Sequence, residues 1–339
     1  MIAATRPRNF REQARMLVID RKESHFSDST ITGLTQALRS DDLLVVNDAA
    51  TVPASLKAKD QNGAPVEIRL VGQIGETEWK AVLMGEGTWR IPTELRDLPE
   101  PARLGSHFEI SREFSAEVIE VAAESCRLVT LRFSNRADAM WNGIYAYGRP
   151  IQYSYLSGDL PLWSVQTVYA SRPWAVEMPS AGYPLAWKTL LELKRRGVRL
   201  ARLTHAAGLS SGGDDRVDAL LPFPERFEIP PETIEAVALA RRSGGRVVAV
   251  GTTVVRALEG SHALHGRLAS GEGYTDLIID RSFQPQVVDG LLTGMHDPAQ
   301  SHFRLLTAFA DENLLRRSCR HAAAAGYQCH EFGDLCLIV

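Results

Sequence analysis

RVVAVGTTVVRALEG, residues 246–260, decides the fold class. Its first part is a short β-branched run that stops at Gly251 and reads as a buried strand. Its second part, from Thr252, has the spacing of a helix. The neighbouring segments repeat this rhythm. Ala186 to Arg196 is spaced as a helix with Gly197 as its C′ residue, and VRLARLTH follows as a strand. PPETIEAVALARRSGG reads as a helix with proline near its start and glycine past its end. Tyr274 to Asp280 and Val287 to Thr293 are further strand candidates, and Ser301 to Ala325 is mostly helical. Nearer the N-terminus, DDLLVVND (Asp41 to Asp48) is another buried strand. Such alternation implies an α/β layer or barrel-like architecture with its sites at the carboxyl ends of strands.

One region departs from the rhythm. From Val66 to Phe133 the chain offers only short strand-like runs: VEIRLVG, EWKAVLM, HFEI, FSAEVIEVA and CRLVTLRF. Turn-prone pieces (QNGA, IGET, GEGT, AAES) set them off. The pattern predicts a small antiparallel β-barrel domain. GRPIQYSYLSGDLPLW, residues 148–163, marks the exit from it. The expected organisation is an α/β main domain of residues 1–58 and 150–339, with an inserted β-barrel domain of residues 59–149. A length of 339 residues exceeds one typical domain and agrees with that division.

Composition narrows the function classes. Hydrophobic residues at 45% suffice for a real core, and charged residues at 23% argue against disorder. No run approaches the roughly 18 apolar residues of a membrane span. MIAATRPRNFREQAR lacks the apolar stretch of a signal peptide, and the four cysteines contain no Cys-x-x-Cys pair. A reduced, cytoplasmic setting is the expectation. The net charge of −3 excludes the most basic class of nucleic-acid binders but permits a local basic patch. Basic residues cluster in Arg6 to Arg15, Lys194 to Arg202, Arg241 to Arg246 and Arg316 to Arg320. Such runs are usually solvated helix faces, and they serve a tRNA backbone where several share one side.

No Gly-x-Gly-x-x-Gly opens a βα unit and no Walker lysine motif occurs, so the usual dinucleotide and P-loop readings lose their support. Gly208-Leu209-Ser210-Ser211-Gly212 fits Gly-x-Ser-x-Gly, but a nucleophile elbow must lead straight into a helix. This one leads into Gly213-Asp214-Asp215, so it reads as a flexible loop beside a ligand. The histidines make no closed metal shell in sequence. His205 and His296 stand apart from the others because each ends a predicted strand, where an imidazole can act as a general base or simply bond a loop carbonyl. At Gly251-Thr252-Thr253 a strand hands over to a helix whose free N–H groups favour an anion, and Arg256 lies one turn further on.

Several blocks, in this order, resemble the S-adenosylmethionine:tRNA ribosyltransferase-isomerase family of the queuosine pathway. They are DDLLVVNDAATVPASL, QTVYASRPWAVEMPSAG, RRGVRLARLTH, GRVVAVGTTVVRALE, VVDGLLTGMHDPAQS and LLTAFADE, with FGDLCLIV at the end. The resemblance spans nearly the whole chain. It implies an α/β barrel-like main domain with an inserted small β-barrel. It also implies an enzyme that transfers and isomerises the ribosyl group of S-adenosylmethionine onto 7-aminomethyl-7-deazaguanine in tRNA. Epoxyqueuosine, adenine and methionine are the products, and no metal takes part. The sulfonium acidifies the adjacent 5′ carbon, so the site needs a neutral base, carboxylates that tolerate the cation, and anchors for the methionine carboxylate.

Carried onto this chain, His205 falls on the histidine before the family's glycine-rich loop, with His296 as the alternate base or acid. Thr252, Thr253 and Arg256, following Gly251, are expected to hold the methionine carboxylate. Asp48 and Glu225 are expected to face the sulfonium or the amine. Gln166, Tyr169, Ser180 and Gly182 are expected at the nucleoside pocket. Departures from the family pattern are several. Ala49 and Ala50 replace Thr-Arg, Ser55 replaces an arginine, Tyr183-Pro184-Leu185 replaces Leu-His-Phe, and Ala206 to Ser211 lacks the Val-Gly-Ala-Gly-Thr-Phe loop. Two other readings stay open beside the main one. One is an enzyme using S-adenosylmethionine with a small-molecule acceptor, or as a sulfonium-cleaving lyase. The other is a non-catalytic binding protein.

Overall fold

In the computed structural model, which describes residues 1–298 and 301–339, the strand Leu43–Asn47 is buried at all five positions. Continuous burial of this kind requires both faces to be covered, as in a parallel sheet. Leu43 and Val45 belong to one apolar cluster with Leu203, Val247, Ala249, Val254 and Leu258, whereas Leu44 and Val46 pack on the other side with Leu190, Leu193, Val248 and Leu292. The alternation is the two-residue period of a strand at the centre of a three-layer domain.

Leu43–Asn47 runs parallel to Arg199–His205 on one side and to Val247–Val250 on the other, and Val247–Val250 runs parallel to Gly290–Gly294. These four strands are the parallel centre of a nine-stranded mixed sheet. Glu225–Ile229 and Gly271–Thr275 extend it antiparallel beyond Arg199–His205. Leu335–Ile338, Arg15–Asp20 and His25–Thr30 extend it beyond Gly290–Gly294. The α/β class read from the sequence stands. The predicted helices appear as Trp187–Arg195, Pro231–Arg242 and Thr252–His265. Residues 276–280, expected to continue the Tyr274 strand, carry no strand. The N-terminal strands, Glu225–Ile229 and the helix Ala137–Tyr147 were not anticipated.

The joint at Gly251 has φ +89°, a conformation that side-chain-bearing residues rarely adopt, so glycine is what lets the strand turn into the helix. The helix then passes through Gly260, where an added Cβ would stand 2.5 Å from the Thr275 hydroxyl. It ends at Gly266 in the left-handed conformation.

The inserted unit is a closed antiparallel barrel of six strands. They are Ser55–Lys59, Pro65–Gln73, Glu78–Met84, Leu128–Phe133, Phe114–Val121 and His107–Ser111, in spatial order, with Lys59 pairing Glu109 to close the ring. Met140 and Ile144 of the helix Ala137–Tyr147 join its core. The barrel is held to the main domain by Arg127, which donates to the carbonyls of Gly212 and Gly213 at 3.0 Å each, and by Ser125, which donates to Asp214 at 3.0 Å.

Candidate functional site

The carboxyl ends of the four parallel strands lie side by side and collect Asn47-Asp48, His205, Gly251-Thr252-Thr253 and Thr293. Crevices beyond such strand ends are where open α/β sheets bind ligands. Asn47 ties three of them together. Its Nδ2 donates to the His205 carbonyl at 3.0 Å and to Thr253 Oγ1 at 3.2 Å. Its Oδ1 accepts from the amides of His205 at 2.9 Å and Ala49 at 3.1 Å. All four hydrogen-bonding positions of this buried amide are used, so the strand ends are held in fixed register.

His205 is completely buried, and neither ring nitrogen has a hydrogen-bond partner among the described residues. Its Nε2 lies 3.4 Å from Glu225 Oε2, a charge contact without hydrogen-bond alignment. Burial, aided by the Arg256 cation, pushes the imidazole pKa down to about 3, so the ring is neutral throughout the physiological range. Glu225 accepts from the Gly208 amide at 2.8 Å through Oε1 and is paired with Arg256 through Oε2. Burial pushes its carboxyl pKa up and outweighs the pull of the guanidinium in the other direction. Arg256 also donates to the Thr275 carbonyl at 3.3 Å, and its Nε is unpartnered among the described residues. His205, Glu225 and Arg256, expected separately from the sequence, therefore form one buried group.

The other expected residues distribute around it. Asp48 accepts from Thr204 Oγ1 at 2.6 Å and from Arg202 Nη1 at 3.1 Å, and its charge helps burial to raise the phenol pKa of Tyr169. Tyr169 sits directly on Gly182, where an added Cβ would stand 2.0 Å from the phenol oxygen. The turn Ser180–Gly182 packs close to the joint, since a Cβ on Gly251 would lie 3.5 Å from that of Ala181. Gln166 spends both ends of its amide on Thr51, accepting from its N–H at 3.0 Å and donating to its carbonyl at 2.8 Å. It pins the approach to the barrel. His296 lies on the next strand end, bonded to Thr293 Oγ1 at 3.0 Å and stacked on His302 with ring centres 5.1 Å apart. Burial, with the charges of His302 and His330, pushes its pKa down to about 3.

Several residues at the site carried no recognised signal. Glu177 accepts from the Tyr153 hydroxyl and from both the amide and the hydroxyl of Ser210, and burial raises its pKa. It thereby clamps the loop that departs from the family pattern. A lone acid inside the apolar run Trp174-Ala175-Val176-Glu177-Met178 was the available cue, since unpaired buried carboxylates are rare. Ser210 and Ser211 bond carboxylates rather than a histidine, so the Gly-x-Ser-x-Gly match is a loop clasp. A cavity of about 180 Å³ opens between the barrel and the main domain, lined among others by Trp79, Lys80, Trp174, Phe223, Glu225 and Tyr274. Glu225 thus belongs both to the buried group and to this cleft. Many members of the basic runs are used internally: Arg8 pairs with Asp334, Arg199 with Asp41, Arg246 with Asp42 and Arg316 with Glu312.

Comparison with known proteins places the chain in a family. A family model described as queuosine biosynthesis protein matches residues 1–338. The chain is 31% identical to the S-adenosylmethionine:tRNA ribosyltransferase-isomerase of Trichlorobacter lovleyi, over 100% of this chain and 96% of that one. It is 33% identical to the protein of the same name from Thermus thermophilus, over 97% and 93%. The crystal structure of S-adenosylmethionine tRNA ribosyltransferase from Thermotoga maritima superposes with a TM-score of 0.55 at 25% identity, covering 100% of this chain and 96% of that one. On sequence and fold together, this chain belongs to the queuosine biosynthesis protein family.

Proposed function

We propose that this chain is an S-adenosylmethionine-dependent ribosyltransferase-isomerase. It transfers and isomerises the ribosyl group of S-adenosylmethionine onto 7-aminomethyl-7-deazaguanine in tRNA, giving epoxyqueuosine with release of adenine and methionine. The observation that carries the reading is the neutral, fully buried His205, without a hydrogen-bond partner among the described residues and 3.4 Å from Glu225, at the ends of four parallel strands. S-adenosylmethionine is a co-substrate and supplies an acidified carbon beside its sulfonium.

His205 is free of a bound proton at physiological pH and is the proposed base, with His296 the alternate; the Glu225 carboxylate beside it supplies the basicity that burial takes away. The Glu225 carboxylate stabilises the imidazolium that forms, and Arg256 holds that carboxylate in place. The first turn of Thr252–His265 offers unsatisfied N–H groups to the methionine carboxylate, with Thr252 and Thr253 beside them. Asp48 places a second negative charge near Tyr169, where a sulfonium or ammonium is tolerated. Tyr169, Ser180 and Gly182 form the nucleoside wall, and Gln166 anchors that wall's neighbour, the Thr51 segment. A sequence of proton transfers and displacements of this kind is suited to side chains alone. No helix among the described residues is long and apolar enough to cross a membrane, and cytoplasmic action on tRNA is part of the proposal.

Incubation with S-adenosylmethionine and tRNA carrying 7-aminomethyl-7-deazaguanine tests the reading. Adenine release with the mass gain of epoxyqueuosine is expected. Adenine release that needs no RNA would transfer the activity to a small-molecule acceptor or a lyase. Tight S-adenosylmethionine binding without turnover would make the chain a binding protein.

A further inference from the structure

We propose that Glu177 is a positioning residue for the pair His205 and Glu225: it fixes the loop that follows His205, and through the Gly208 amide it fixes the Glu225 carboxylate against the imidazole. The inference rests on the reading that this pair moves the proton, and it adds the residue that sets their geometry. The loop begins where the strand Arg199–His205 ends, and its attachments alternate between two neighbours. The Ala206 amide donates to the Arg226 carbonyl at 2.8 Å, and the Ala207 carbonyl accepts from the Val176 amide at 2.9 Å. The Gly208 amide donates to Glu225 Oε1 at 2.8 Å. The Ser210 amide donates to Glu177 Oε1 at 3.0 Å, and the Ser210 hydroxyl donates to Glu177 Oε2. Two carboxylates thus grip two amides two residues apart, one on each side of Leu209, which is buried in the apolar cluster of the barrel.

Gly208 leaves little slack between the two grips. A Cβ added there would stand 3.1 Å from Glu225 Oε1, so backbone and carboxylate are already in close contact. A shift of the loop at Ser210 is passed to Gly208, and from there to a carboxylate 3.4 Å from His205 Nε2. Misplacing a reacting group by about 1 Å can cost roughly 100-fold in rate. Glu177 is braced from behind. The Tyr153 hydroxyl donates to its Oε1, and the Tyr153 ring stacks on Tyr155 with centres 6.0 Å apart. The Arg69 guanidinium lies 5.7 Å from the centre of the Tyr153 ring and is itself paired with Glu67 at 2.8 Å. The clasp therefore runs from the barrel strand Pro65–Gln73 to the loop beside His205. Geometry, not field, is what Glu177 contributes. Burial raises the Glu225 carboxyl pKa, Arg256 and the Gly208 amide lower it, and the Glu177 charge raises it again. A charge that opposes an ionised Glu225 does not help it to stabilise an imidazolium, whereas an acceptor that holds Ser210 does.

Steady-state adenine release from S-adenosylmethionine, with tRNA carrying 7-aminomethyl-7-deazaguanine, tests the assignment. Circular dichroism and calorimetric S-adenosylmethionine binding accompany each variant. Glu177→Ala should lower kcat roughly 10- to 100-fold while KM for S-adenosylmethionine stays within about twofold. Glu177→Gln keeps an oxygen for the Ser210 and Tyr153 donors and drops the charge, so it should recover most of that loss. Ser210→Ala, at an exposed position, removes only the hydroxyl and should lower kcat roughly 3- to 10-fold. Glu225→Asp keeps a charge for Arg256 and withdraws the carboxylate from Gly208. Adding Glu177→Ala to it should cost less than about twofold more, because the contact that Glu177 governs is already lost. Four results overturn the positioning role and leave the transferase reading standing. They are an unchanged kcat in Glu177→Ala and Ser210→Ala, a loss carried by KM instead of kcat, a loss that Glu177→Gln shares in full, and the full loss repeated in the Glu225→Asp background. If Glu177→Ala loses its native circular dichroism, Ser210→Ala decides alone, and an unchanged kcat there overturns the role. No adenine release by the wild type, with S-adenosylmethionine still bound, removes the transferase reading and this role with it.

Discussion

Replacing His205 with glutamine should make the protein less sensitive to acid. In the unfolded chain this imidazole titrates near 6.5, and in the native state burial and the Arg256 cation hold it down to about 3. Between those values the unfolded state binds a proton that the native state refuses. Native stability is therefore intact with respect to His205 above pH 6.5 and falls progressively as pH drops toward 3. From pH 7.5 to pH 5.0 the linkage integral for this one group is about 2 kcal/mol. Urea unfolding followed by circular dichroism at the two pH values measures it. The wild type should lose about 2 kcal/mol more between them than His205→Gln, whatever packing the substitution costs at both. Comparing pH differences removes the other titrating groups, His296 included, because they are common to both proteins. Identical pH dependence of the two proteins would refute the reasoning, for it would mean that native His205 protonates normally and is no buried neutral base. The same variant should lose adenine release by roughly 100-fold or more if the ring moves the proton.

Arg256→Met leaves Glu225 buried without its cation and should cost about 3–5 kcal/mol in urea unfolding, with Arg256→Lys recovering part. Unchanged stability of Arg256→Met would show that the pair does not hold the carboxylate. Gln166→Ala orphans both backbone groups of Thr51 and should cost about 1–3 kcal/mol without changing the KM for S-adenosylmethionine. A raised KM at unchanged stability would make Gln166 a ligand residue instead. Gly182→Ala drives a methyl group into the Tyr169 phenol and should destabilise by about 1–3 kcal/mol. Adding Tyr169→Phe should recover most of that loss, and no recovery would place the strain elsewhere.

Much of the architecture was legible because local patterns carried it. The buried strand at Leu43–Asn47 and the strand–glycine–helix joint at Gly251 follow from burial and backbone conformation within a few residues of each other. Strands such as His25–Thr30 escaped because only Phe26 and Ser29 of the six are partly buried, so no apolar period marks them. At the site, His205 was found from its place at a strand end, Thr253 and Arg256 from the strand–glycine–helix joint, and Glu225 from the family pattern. Asn47, which binds those strand ends together, was visible only as one letter of a matching block. Glu177 was marked only by standing alone in the apolar run Trp174-Ala175-Val176-Glu177-Met178, and nothing within their own segments marks the rings of the cleft.

What the sequence determined by itself is the run of strands and helices, the insertion of a β-rich unit and the family. These depend on periodicity and on motifs read along one segment at a time. The tertiary structure decided which of the expected residues act together. It turned Arg256 from a free anchor into the partner of Glu225, and Gln166 from a pocket residue into a brace on Thr51. It also set a barrel strand against Trp174 and Phe223 to make a cleft. The reason is physical: hydrogen bonds, ion pairs and desolvation depend on distances between residues far apart in the chain. His205 and Asn47, 158 positions apart, share two hydrogen bonds that no local pattern records.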